Sequence, residues 1–170
     1  MPLSSSYPTT SHVLNMKTWP EAVRDGAISG GLASMVSTAA LSACSVQEKH
    51  SPFAPTNAIS HVVWGDRAMY EDAPSVRYTG LGYGIHLASS MAWGVLYEKW
   101  FGQLAQKKSL LPAVAGGAAM AGLTYVVDYK LTPRRLQPGF DTRLSPRSMT
   151  LFYAAFGVGL MLRGLLSARR

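Results

Sequence analysis

"GAISGGLASMVSTAALSACSVQ", Gly26 to Gln47, runs 22 residues without a charge. A helix rises 1.5 Å per residue, so about 20 residues cross the ~30 Å hydrocarbon layer of a bilayer. A helix of this length in water would show a polar, charged face. This one shows none, and it reads as a membrane span.

Three further uncharged runs follow: Tyr78–Tyr97 (20 residues), Ser109–Val127 (19) and Ser148–Leu162 (15). Tyr78 and Tyr83 at one end of the second, with Tyr97, Trp100 and Phe101 at the other, match the aromatic belts of a helix running interface to interface. The third opens on Ser109 as a cap, with Pro112 in the first turn, where its missing N–H costs little. The fourth reaches spanning length by continuing to Leu166, with Arg163 extending back toward the headgroups. Charged residues make up 15% of the 170-residue chain, against about 25% in an ordinary soluble domain. The expected fold is an all-α membrane protein. Four transmembrane helices, over about 26–46, 78–98, 110–128 and 148–166, pack as one bundle domain (26–166). A polar N-terminal tail (1–25) precedes it and a basic end (167–170) follows. The first 18 residues are rich in Ser, Thr and Pro, and arginine is absent until Arg24, unlike a transit peptide.

"APTNAISHVVWGDRAMYEDAP" (54–74) lies between spans one and two. Pro55 and Thr56 open a helical pattern and Pro74 stops it; Asn57, His61, Trp64 and Ala68 share a face. This predicts a short helix over about 56–70 lying in the headgroup layer. "DYKLTPRRLQPGFDTRLSPRS" (128–148), with three prolines, predicts an irregular loop turning at Pro138-Gly139.

Gly26, Gly30, Ser34, Thr38 and Ser42 recur every four residues and form a small-residue ridge on span one. In lipid, such ridges bring backbones close and mark helix–helix contacts. Ala113, Gly117 and Ala121 repeat the spacing in span three, and Ala155 and Gly159 in span four.

Four spans place the first and third connections on one side of the membrane. His61, Asp66, Asp128, Arg134 and Arg135 then share a face, with His86 about 12 Å below it. Lysine and arginine divide eight to eight between the two sides, so their count does not orient the chain. The few acids beside the bases on the terminal side place both termini in the cytoplasm.

His86, inside "GYGIHLASSMAW" (82–93), is the sharpest residue. An ionisable side chain at that depth marks a cavity, a partner or a path. It can ligate metal or haem or relay a proton; the structural alternative is a neutral imidazole bonded to Ser90 or to the Ser34/Thr38/Ser42 ridge. His61 and His86 are the residues to hold a metal or haem, although no spaced ligand motif accompanies them. His61 alone reads as a solvated interfacial histidine. Asp128, at a helix C-terminus, needs a partner against the macrodipole, and Lys130, Arg134 or Arg135 can supply it. His61, His86, Asp128 and Arg134 form the candidate polar ligand or proton site. No catalytic set assembles from the motifs, and the balance leans away from an enzyme.

A lone cysteine excludes an internal disulfide. "LSAC", Leu41 to Cys44, is similar to a bacterial lipoprotein processing site, which would acylate Cys44. The leading segment is long and carries Glu21 and Asp25, unlike a signal n-region. The net charge of +7 suits anionic headgroups, and the scattering of basic residues argues against nucleic acid.

"TNAISHVVWGD", "IHLASSMAWGVLYE" and "LTPRRLQPGFDTRLS" together resemble a family of small four-span bacterial inner-membrane proteins. The resemblance implies that location and layout, attaches no activity and carries no functional residue across. Two functional readings stand. One is an association or structural module binding lipid, a membrane partner or a second copy through its ridges. The other is a membrane-embedded ligand, metal, haem or proton-relay site on the face shared by the first and third connections.

Overall fold

The computed structural model describes residues 16–103 and 110–167. Residues 1–15 of the expected tail and 168–170 of the basic end lie outside the described residues, as does Ser109. Among those described, every regular element is helical.

Four long helices run alternately up and down. The first, α1 (Trp19–Gln47), starts seven residues before the expected span. Pro20 stands in its first turn, and the Glu21 carboxylate accepts from the Thr18 N–H at 2.9 Å and the Thr18 hydroxyl at 2.7 Å. The helix ends where Lys49 takes a left-handed φ of 62° and the His50 N–H turns back to the Ser45 carbonyl. The chain then forms α2 (Ala54–Ile59) and α3 (His61–Trp64), followed by a 3₁₀ turn at Asp66–Tyr70. After a π turn at Val76–Gly80 come α4 (Leu81–Trp100), α5 (Leu110–Val126) with a π turn at Val127–Leu131, and α6 (Pro146–Ser167).

Three of these helices are long and apolar enough to cross a membrane: Trp19–Gln47, Leu110–Leu131 and Pro146–Ser167. The fourth, α4, has the length, at about 30 Å, but His86, Ser90, Glu98 and Lys99 make it less apolar. It buries His86, Ser90 and Glu98 against its neighbours, with Lys99 half-buried, rather than presenting a uniformly apolar surface.

Helix α1 is the hub. It packs along α4 on one side and α6 on the other, and α6 packs on α5, while α4 and α5 scarcely touch. Glycines set the close crossings. A Cβ on Gly26 would lie 2.5 Å from the Val95 Cα, one on Gly30 2.7 Å from the Met91 nitrogen, and one on Gly94 2.6 Å from the Gly30 nitrogen. Gly117 and Gly157 bear the same relation across α5 and α6, each 2.7 Å from the other's carbonyl oxygen, and Gly159 sits on Ala33. The spacing-four glycines are therefore occupied within the chain's own bundle. Ser34 is buried beside them, Thr38 is half-buried, and Ser42 donates to the Pro52 carbonyl at 3.0 Å.

The connection between α1 and α4 departs from expectation. The single helix expected over 56–70 is divided at Ser60 and at Gly65, whose φ of 75° favours glycine. All six residues of α2 are buried, so the segment packs into the bundle end. Asn57, fully buried, explains the packing. Its amide donates to the Glu71 and Ala73 carbonyls at 2.9 and 3.0 Å, and its oxygen accepts from the Thr79 hydroxyl at 2.6 Å. The third connection closes over α2 as two short 3₁₀ turns, Arg134–Leu136 and Phe140–Thr142, with Gly139 left-handed between them. The first and third connections share one end of the bundle and are tied by Arg143 to Asp72 and by Glu48 to Ser145.

Candidate functional site

Because α4 and α5 diverge, a cavity of about 100 Å³ remains between them at the connection end. His86 and Ser90 come from α4, Thr124 and Asp128 from α5 and its π turn, and Phe140 from the third connection. The polar side chains lie one helical turn apart on each helix, at i and i+4, so one face of each helix supplies two.

His86 is 8% exposed, and its Nε2 lies 2.9 Å from the Ser37 hydroxyl. Ser37 also lies 2.7 Å from the Ala33 carbonyl, to which it donates. With the serine proton used there, the imidazole donates through Nε2 and keeps Nδ1 as an acceptor. Ser37, in the stripe beside the expected ridge, is the partner found. Ser90 is buried with its hydroxyl unpartnered among the described residues, as is Ser34. Such atoms call for an ordered water or a ligand. Thr124 satisfies itself by donating to the Met120 carbonyl at 2.8 Å.

Asp128 finds a partner that the sequence reading did not. Oδ2 accepts from the Tyr153 hydroxyl at 2.7 Å, and no salt bridge joins it to Lys130, Arg134 or Arg135 among the described residues. Those bases stand on the outer surface while the carboxylate turns inward, so a phenol from α6 meets it. The phenol takes one oxygen and leaves the other as an acceptor.

His61 and Arg134 occupy a different place. Together with Asp66 and Arg135 they line an open cleft of about 580 Å³ on the outside of the third connection. His61 is 4% exposed rather than solvated; its Nδ1 lies 2.8 Å from the Ala58 carbonyl, and Gly139 packs on its ring. The four candidates thus separate into two pairs, His86 with Asp128 inside and His61 with Arg134 outside, with the Pro138–Phe140 turn between. No group of three or more His, Cys, Asp or Glu placed to hold a metal occurs among the described residues. Cys44 is a buried free thiol within α1; processing ahead of it would remove most of the hub helix.

A second polar centre lies at the opposite end. Lys17, 4% exposed, donates to Asp25 at 2.8 Å and to Glu98. Arg163 reaches Asp25 at 2.7 Å and Glu98 at 3.5 Å, and Ser29 also donates to Glu98. Residues assigned to the tail, a loop and a lipid-facing helix end are here drawn into one buried network. Arg163 turns toward the two buried carboxylates, whose charge attracts it at that range. The signal available in sequence was three charges on apolar helices, Asp25, Glu98 and Arg163, within a turn or two of the same bundle end.

Ala33, Tyr97, Met120, Phe156 and Leu160 pack as one buried cluster, in which the Tyr97 hydroxyl has no hydrogen-bond partner among the described residues. Comparison with protein-family models, with curated proteins and with solved structures found no match; the functional reading rests on these residues.

Proposed function

We propose that the chain is a four-span integral protein of the bacterial inner membrane, with both termini cytoplasmic, that binds a small hydrogen-bonding solute in the cavity between α4 and α5. The observation that carries this reading is the convergence of three polar groups with spare capacity on one interior space: His86, the unpartnered Ser90 hydroxyl and the second oxygen of Asp128. Uncompensated polar atoms inside a bundle cost free energy unless something fills the site. The volume suits a few waters or a solute of that size. A carboxylate, an imidazole acceptor and the surrounding Trp93, Phe152 and Phe156 rings favour a cation or hydrogen-bond donor, such as an ammonium ion or a protonated water cluster.

The association reading draws less support. Its motivating glycines are used between α1, α4, α5 and α6, which leaves a partner only the exposed apolar faces that lipid also covers. The fourth crossing is supported by the length of α4 and by its tight seat on α1.

The test is imidazole ¹⁵N NMR of the protein in lipid nanodiscs, with the His86 signals assigned through His86→Gln. Ammonium or methylammonium chloride should shift them saturably, sodium chloride should not, and Asp128→Asn should weaken the response at least about tenfold. No saturable shift below about 100 mM, far above a millimolar Kd, overturns the proposal.

A further inference from the structure

A separate groove runs along the outside of the bundle between α5 and α6. The two helices touch at Gly117 and Gly157; toward the connection end Tyr125 and Tyr153 pack edge to face between them, and an open space of about 800 Å³ lies along their outside. Its floor is small and apolar, with Ala118, Gly122 and Ala154 exposed along it. Both helices that form it are apolar enough to cross a membrane, and in the membrane-spanning reading proposed above, on which this inference rests, acyl chains are the neighbouring phase.

The upper end of the groove changes chemistry. Lys130 and Asp141 both line it, both are exposed, and neither has a salt-bridge partner among the described residues. Beside them stand Tyr125 and Tyr129, whose ring centroids are 5.6 Å apart, and the Tyr129 hydroxyl lies 3.3 Å from Asp141. Tyrosine at this level is the usual amphipathic anchor of a membrane interface. A base and an acid kept apart at the head of an apolar trough match a zwitterion that carries a hydrocarbon tail.

We infer that this groove is a binding site for a zwitterionic phospholipid with a primary ammonium headgroup. The tail lies over Ala118, Gly122 and Ala154, the phosphate meets Lys130, and the ammonium meets Asp141 and the tyrosines. A primary ammonium has three N–H donors for the Asp141 carboxylate and the Tyr129 oxygen. A trimethylated ammonium has none and keeps only the attraction of its charge to the carboxylate and the rings. An anionic headgroup would satisfy Lys130 and oppose Asp141. The charge arrangement therefore selects phosphatidylethanolamine over phosphatidylcholine and phosphatidylglycerol. The site lies outside the α4–α5 cavity and does not depend on its occupant.

The full chain is reconstituted in vesicles containing equal parts of the three lipids and gently extracted, and the retained lipid is counted by native mass spectrometry. Phosphatidylethanolamine should be retained about threefold or more over either competitor. Asp141→Asn should abolish the preference, Lys130→Gln should lower retention of all three, and Asp66→Asn, in the neighbouring cleft, should leave the pattern unchanged. Tyr129→Phe gives a milder version of the same loss if Asp141→Asn does not fold. Retained lipid that mirrors the mixture, a preference for either competitor, or a preference that survives Asp141→Asn overturns the assignment.

Discussion

Glu98→Gln is the sharpest perturbation of the buried network at the terminal end. The Glu98 carboxylate is 1% exposed and accepts from Lys17, Ser29 and Arg163. Glutamine keeps the shape and removes the charge, leaving Asp25 alone to balance Lys17, Arg163 and the exposed Arg24. Breaking one partner out of a buried ion network costs about 3–5 kcal/mol. Lys17 and Arg163 keep Asp25 at 2.8 and 2.7 Å, which places the loss near the lower figure, about 3 kcal/mol. For a chain of this size that is a fall in Tm of about 6–12 °C, measurable by thermal unfolding in a mild detergent. Replacing all four ions by Met or Leu should cost much less than the single change, because no charge is then stranded. A Glu98→Gln protein within about 1 °C of wild type, or a quadruple variant less stable than it, would show that the network is not the desolvated cluster described and refute the reasoning.

Gly94→Leu should abolish a monodisperse protein on size exclusion, since even a Cβ there lies 2.6 Å from the Gly30 nitrogen; Gly122→Leu, which opens onto free space, should elute as wild type. Glu48 accepts from the Ser145 N–H at 3.0 Å and from the Ser145 and Ser148 hydroxyls, and these bonds hold its pKa below the usual glutamate value. Its stabilisation is therefore complete above the unfolded value of about 4.3 and lost as pH falls through the lower folded one. The Tm should drop between pH 5 and pH 3 and drop less in Glu48→Gln; equal slopes would remove Glu48 from the explanation.

The helices were legible because charge is forbidden where lipid is the solvent, and its absence over Gly26–Gln47 and Ser109–Val127 marks two long helices directly. The α4 run reads in sequence as the span with the best aromatic anchors, yet it is the one long helix that falls short of the other three in apolar character, since His86 and Ser90 face the interior. The glycine spacing exposed a contact surface without naming its partner: Gly26 and Gly30 serve α4, and Gly159 serves Ala33, a distinction that depends on how the four helices are arranged around α1. The 56–70 segment failed as a single helix because periodicity carries no information about Asn57 satisfying carbonyls 14 and 16 residues away. Asp128 failed similarly. Its sequence neighbours are basic, but the phenol that reaches it comes from another helix.

The separation of the two polar centres constrains what the bundle can do. Had Ser29, Ser34, Ser37 and Ser90 been joined by hydrogen bonds from His86 down to Glu98, the interior would offer a proton path from end to end. Among the described residues no such hydrogen-bonded chain is complete: Phe156, Met120 and Leu160 pack with Ala33 and Tyr97, and the α1 and α4 backbones meet at Gly30 and Gly94. The terminal network is internally matched, two carboxylates against Lys17 and Arg163. Among the described residues, buried hydroxyls without a partner occur at Ser34, Thr38, Ser90 and Tyr97, and of these Ser90 lines the cavity between α4 and α5. Under the proposed function, the junction between α4 and α5, rather than the tight α1 seams, is the place where binding can change the structure.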